Sequence, residues 1–189
     1  MSLDVILLGF VVVFPVVEVA MSVARRARSG IARHADQGSM GLLWLVISAA
    51  VAVAIMSQWT SGARLPGSRS VLKDLALGLL GAGLALRWFA VWSLGRFFTV
   101  DVAIHEGHAL VDRGVYRHIR HPSYTGLLMA FAGLGVFFGN WISLFALTLP
   151  IGAALLARIR TEEVALLEGL GAPYADYCAR TRRLIPGVY

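Results

Sequence analysis

Four of the chain's five histidines fall between positions 105 and 121. Around the last of them, the stretch Arg117-His118-Ile119-Arg120-His121-Pro122-Ser123-Tyr124 gathers fixed cations, imidazoles and an aromatic hydroxyl. Such a set can seat an anion, stack on a flat ligand or move a proton. A metal fits the spacing poorly: His105 and His108 are three apart, not four as in a His-Glu-x-x-His helix, and no cysteine or second carboxylate follows at ligand spacing. Cys178 is the single cysteine, so the chain forms no internal disulfide.

A second set lies in RIRTEEVALLEGLG, residues 158–171. On a helix, Ile159, Leu166 and Leu170 share one apolar face; Glu163 falls inside it, Glu162 at its edge and Glu168 opposite. A carboxylate on an apolar face costs free energy unless it is paired. Glu163 is therefore expected to meet a cation, either Arg120 or Arg117 or a positively charged ligand. The tail YADYCARTRRLIPGVY returns Tyr174, Tyr177, Arg182 and Arg183 to the same surface. Tyrosines beside a membrane are most often interfacial anchors, and they can also stack on a base or face a cation.

The elements that must position these groups are membrane helices. Hydrophobic residues make up 58% of the 189 and charged residues 15%, against about 25% charged in a soluble domain. Apolar runs long enough to span lie at 3–24, 41–59 and 75–94, and shorter ones at 124–138 and 141–157, separated only by Gly139 and Asn140. The expected fold is an all-α integral membrane protein of about five spans, the last two forming a tight hairpin, followed by a cytoplasmic amphipathic helix. Three spans plus a shallow re-entrant pair is the alternative. The start MSLDVILLGF lacks the basic region of a cleaved signal and reads as a retained span. The division expected is 1–74 for the first two helices and 75–189 for the core.

With the N-terminus outside, the inner segments 25–38, 96–121 and 158–189 hold thirteen of the basic residues, while the outer ones hold only Arg64, Arg69 and Lys73. That asymmetry predicts an inner or plasma membrane protein with both chemical stretches cytoplasmic. The net charge of +6 then points to anionic lipid head groups, not nucleic acid. Proline at a first helical position loses no hydrogen bond, so a helix is predicted to start near Pro122, with its N–H groups and dipole turned toward any bound anion. Arg87 and Glu18 are intramembrane charges and are expected to touch. Gly135 and Gly139 are expected to serve close helix packing.

The run HALVDRGVYRHIRHPSYTG, then RIRTEE, then LGAPYADYCARTRRLIP resembles the isoprenylcysteine carboxyl methyltransferase family and the related phospholipid methyltransferases, over about residues 84–186. The resemblance implies a five-span core and a cytoplasm-facing pocket for S-adenosylmethionine. It also implies a membrane-embedded lipophilic acceptor, either a carboxylate or a lipid amine or thiol. Carried over by motif, the cofactor residues would be His108, Gly114, Tyr116, His121, Pro122, Tyr124, Glu162 and Glu163, with Glu163 also a catalytic candidate. Arg120, helped by Arg87 and Arg183, would orient the acceptor, and Tyr177 would lie beside it. Membrane sterol reductases, which use NADPH, carry a similar motif, but with Asn before the tyrosine and an acidic residue after the glycine. Here Ser123 and Leu127 stand at those places, which favours methyl transfer. A non-enzymatic assembly factor would not need Arg120, His121, Tyr124 and Glu163 together.

Overall fold

The computed structural model describes residues 39–59, 62–95 and 110–187, and among them every extended element is helical. Helix α1 is Ser39–Met56, with a 3-10 turn at Ser57–Trp59; α2 is Arg69–Leu94; a second 3-10 turn spans Gly114–Arg117. Then come α3, Pro122–Phe138, α4, Trp141–Leu170, and α5, Ala172–Arg180. The expected first span, Glu18, His105 and His108 lie outside the described residues.

Among the described residues, three helices are long and apolar enough to cross a membrane: α1 with the turn that follows it, α2 and α4. Helix α3, with 17 residues, reaches about 25 Å at 1.5 Å per residue, short of a hydrocarbon core of about 30 Å. Helix α4 has 30 residues, about 45 Å, and so exceeds that core. Its apolar run ends at Ala157, so Arg158 to Leu170 extend the helix past the apolar stretch. The span 141–157 and the amphipathic segment after it are one helix: Pro150 is accommodated inside the apolar part, no proline follows until Pro173, and the helix ends at Gly171 with φ 62°. Helix α2 also starts earlier than Leu75. The Ser68 hydroxyl accepts the Val71 N–H at 3.3 Å and caps it, which places Arg69 and Lys73 in the helix and not in a loop.

Helix α3 packs along both α2 and α4, and α1 lies against α4. Leu127, Phe131 and Leu134 of α3 meet Leu147, Ile151 and Leu155 of α4 and Leu43, Ile47 and Ala54 of α1 in the core. The α2–α3 contact is backbone to backbone. A Cβ on Gly83 would sit 2.6 Å from the Ala130 nitrogen, and one on Gly126 would sit 2.7 Å from the Arg87 nitrogen. The close-packing glycines are thus Gly83, Gly126, Gly133 and Gly135. Gly139 is different: its left-handed φ of 66° makes the turn of the hairpin, a conformation that costs glycine no steric penalty.

At the hairpin end, Asn140 Oδ1 accepts the Ile142 N–H at 2.7 Å, capping α4, while its Nδ2 donates to the Ser57 carbonyl at 3.0 Å. The Ser57 and Ser143 hydroxyls are bonded at 2.7 Å, which ties the end of α1 to the start of α4.

Candidate functional site

At the opposite end of the bundle, three pieces of chain converge: the start of α3, the overhang of α4, and α5 with the strand-like tail behind it. The tail is held by main chain. The Arg120 and His121 N–H groups donate to the carbonyls of Arg182 at 2.7 Å and Arg183 at 3.0 Å, and the Arg182 N–H donates to the His118 carbonyl at 3.1 Å.

Arg120 is the joint between them. Its Nε donates to Glu163 Oε1 at 2.8 Å, and its Nη1 donates to the carbonyls of Thr181 at 2.6 Å and Cys178 at 3.1 Å, capping the C-terminal end of α5. Of the two arginines expected as partners of Glu163, the structure pairs Arg120 and leaves Arg117 exposed. Arg183 Nε grips the other oxygen of Glu163 at 2.8 Å. His121 is buried between both glutamates, with Nε2 3.4 Å from Glu163 Oε1 and Nδ1 3.5 Å from Glu162 Oε2. Burial alone would push the Glu163 carboxyl up. Hydrogen bonds from His121, Arg183 and Arg120, with the charge of Arg120, overcome this and hold it at about 2, below its ordinary 4.5.

Glu162 is set by a second group. Tyr124 donates to Glu162 Oε1, and the buried Arg158, one turn earlier on α4, reaches the same oxygen at 3.0 Å and the Tyr124 hydroxyl at 2.9 Å. Tyr124 also stacks on His121, with ring centroids 5.7 Å apart and planes 11° from parallel. Arg158 was not singled out by sequence; its signal was a cation four residues before Glu162 at the end of an apolar run.

Arg87 is buried and donates to the Ser123 hydroxyl at 2.8 Å, which ties α2 to the first turn of α3. The motif's Gly126 permits this by letting the Arg87 backbone approach. Pro122 is N1 of α3, as expected, but the helix end is less open to an anion than the sequence suggests. Proline has no N–H, and the Tyr124 and Thr125 N–H groups both turn to the His121 carbonyl. Fixed positive charge at this end therefore comes from side chains.

Gly114 opens the 3-10 turn at φ 61°. Tyr116 is buried behind it and donates to the Ala90 carbonyl at 3.3 Å. Tyr177 donates to the Tyr116 carbonyl at 2.6 Å. Tyr174 and Tyr177 are each only 3% exposed, so they are interior residues and not interfacial anchors. Burial pushes the Tyr116 and Tyr177 hydroxyls up past the ordinary phenol range, so both stay neutral donors. Arg120, His121, Tyr124, Glu162, Glu163 and Arg183 form one cluster. Arg87, Pro122, Tyr116 and Tyr177 support it from behind, and His108 lies outside the described residues.

The family model of the isoprenylcysteine carboxyl methyltransferase (ICMT) family matches residues 76–168. Over that segment, just under half of the chain, the sequence is similar to this family. Among its relatives, the chain is 34% identical over 119 residues to the protein-S-isoprenylcysteine O-methyltransferase of Schizosaccharomyces pombe, covering 62% of this chain and 50% of the relative. It is 36% identical over 106 residues to a probable protein-S-isoprenylcysteine O-methyltransferase of Oryza sativa subsp. indica, covering 55% of this chain and 56% of that one. The chain thus spans about half the length of these curated relatives. The solved eukaryotic intramembrane Ras methyltransferase of the isoprenylcysteine carboxyl methyltransferase family superposes with a TM-score of 0.62 at 25% identity, covering 84% of this chain and 55% of that one. The family segment joins α2, α3 and most of α4, the helices that carry Arg87, the Arg120–Tyr124 motif and the glutamate pair.

Proposed function

We propose that the chain transfers a methyl group from S-adenosylmethionine to a lipophilic acceptor lodged in the membrane, such as the carboxylate of an isoprenylcysteine-like compound. The observation that carries this is the paired carboxylates of Glu162 and Glu163, both oriented by cations and aromatics at the end of a membrane helix. The donor set fits the cofactor. Glu162, Glu163 and the stacked His121 and Tyr124 suit a sulfonium, and Arg120 and Arg183 with Glu163 suit an amino-acid zwitterion.

When bound, the cofactor supplies an electrophilic methyl carbon, and the rest is position and water exclusion. Arg87 and Arg120 hold positive charge beside the start of α3, where an acceptor carboxylate is to be oriented. Glu163, held near 2, is a poor proton acceptor at neutral pH. A carboxylate acceptor needs no base, so this ionised glutamate favours O-methylation. For an amine or thiol acceptor, His121 is the better placed group to take a proton. The basic residues of the inner segments favour a cytoplasmic site with the N-terminus outside.

The test is calorimetric titration of the detergent-purified protein with S-adenosylhomocysteine and, separately, with NADPH, for wild type and Glu163→Gln. Selective binding of the first, weakened by the substitution, is expected. Binding of NADPH alone would overturn the reading.

A further inference from the structure

At the hairpin end the main chain gathers two arginines onto one turn. The Leu65 N–H donates to the Gly139 carbonyl at 2.9 Å and the Trp141 N–H to the Ala63 carbonyl at 2.8 Å. Arg64 thereby stands opposite Asn140 in an antiparallel bridge. Arg69, the first residue of α2, reaches back to the same place, its Nη1 lying 3.7 Å from where a Cβ on Gly139 would be. Both arginines are exposed, and among the described residues neither makes an ion pair.

Nothing nearby offsets this charge. Asp74 is the single carboxylate in residues 39–95, and residues 122–157 contain none. It stands five residues past Arg69, about 140° round the helix at 3.6 residues per turn, so it faces another way. Lys73, four residues past Arg69, is a like charge on the same face of α2. Arg69 also opposes the positive dipole end of its own helix. The starts of α2 and α4 are capped from within, by Ser68 on the Val71 N–H and Asn140 on the Ile142 N–H, so an arriving anion meets side chains here. The aromatic frame indicates where such an anion comes from. Trp59 and Trp141 are exposed, and Trp141 stacks on the exposed Phe145 with centroids 5.6 Å apart and planes 20° from parallel. Exposed tryptophans at the end of a spanning helix sit at the head-group level of a bilayer. The Trp141 N–H bond to Ala63 sets Arg64 at that same level, where a guanidinium fork matches a lipid phosphate.

We infer that Arg64 and Arg69 form a head-group site for an anionic phospholipid of the leaflet at the hairpin end, with the acyl chains lying against Trp141 and Phe145. The site is at the opposite end of the bundle from the Glu162 and Glu163 cluster and does not depend on the methyl-donor reading.

The test is native mass spectrometry of the full-length, detergent-purified protein titrated with phosphatidylglycerol and, separately, with phosphatidylcholine. Wild type is compared with Arg64→Gln, Arg69→Gln, the pair together, and Arg117→Gln, which removes an exposed arginine at the other end of the bundle. Wild type is expected to retain the first phosphatidylglycerol more tightly than phosphatidylcholine. Each hairpin-end substitution should weaken that first binding about fivefold and the pair about thirtyfold, while Arg117→Gln leaves it unchanged. Arg64→Lys with Arg69→Lys keeps the charge without the fork and should recover part of the affinity. Equal retention of the two lipids by wild type overturns the proposal, as does an equal loss in Arg117→Gln, which would mark attraction to net charge alone. Displacement of the bound lipid by an equal concentration of glycerol phosphate, the head group without its chains, would make this a site for soluble anions and overturn it as well. Should the double variant fail to fold, the single variants and the two-lipid comparison on wild type still decide.

Discussion

Helix α4 carries a buried polar cluster at each end, and the two are built on opposite principles. At the hairpin end, Asn140, Ser143 and Ser57 are neutral and closed: each donor finds an acceptor within the cluster or on nearby carbonyls. At the other end, Glu162 and Glu163 are gripped by Arg120, Arg158, Arg183 and His121. In a low-dielectric interior both kinds of network are costly to leave half-made. A closed neutral network asks for nothing more and serves as a clamp. A charged network of two carboxylates, three arginines and a histidine holds groups that a charged ligand can engage.

The contrast breaks most visibly at Glu163. Replacing it by Gln leaves Arg120 and Arg183 facing a neutral amide, and is expected to destabilise the detergent-purified protein by about 3 kcal/mol in unfolding experiments. The same substitution tests the electrostatics by pH. The folded-state carboxyl sits at about 2 against an ordinary 4.5. Its stabilisation is therefore complete above the ordinary range and is lost as pH falls from there toward 2. Wild-type melting temperature is expected to drop across that window more steeply than that of Glu163→Gln; parallel curves would refute the assignment.

Gly126→Ala is expected to cost about 2 kcal/mol, because the added Cβ would lie 2.5 Å from the Gly83 carbonyl oxygen and must push α2 and α3 apart. Since Gly126 also brings Arg87 to Ser123, binding of S-adenosylhomocysteine should weaken with it. At the neutral end, Asn140→Ala should cost about 1 kcal/mol through the lost cap and leave cofactor binding unchanged. Ser143→Ala should cost about 1 kcal/mol or less, since Ser57 keeps its bond to the Ala54 carbonyl. A loss of binding from either hairpin-end variant would erase the distinction between clamp and site.

Much of the site was legible in one dimension because its chemistry is concentrated in short runs. The Arg120–Tyr124 motif and the Glu162, Glu163 pair stand out against apolar sequence, and helical periodicity alone placed Glu163 on a face where it needed a cation. What stayed hidden were pairings across long separations. Periodicity could not choose Arg120 over Arg117, and it gave no reason to single out Arg158. Tyr174 and Tyr177 read as membrane anchors until the tail paired with the His118–His121 segment and turned them inward. Gly139 looked like a packing residue because sequence does not report φ, whereas Gly83 and Gly126 lie on different helices and show their purpose only when the backbones meet.

The sequence by itself determined an all-helical membrane chain, a hairpin turning at Gly139 and Asn140, and the presence of a charged site beside one membrane face. These follow from local quantities: apolar run length, turn residues and the cost of an unpaired charge. Tertiary structure alone decided which arginine holds which glutamate, that α4 runs unbroken from the clamp to the site, and that Tyr174 and Tyr177 turn inward. Those outcomes depend on which surfaces meet in space, and a buried polar group's free energy is set by its neighbours, not by its own position in the chain.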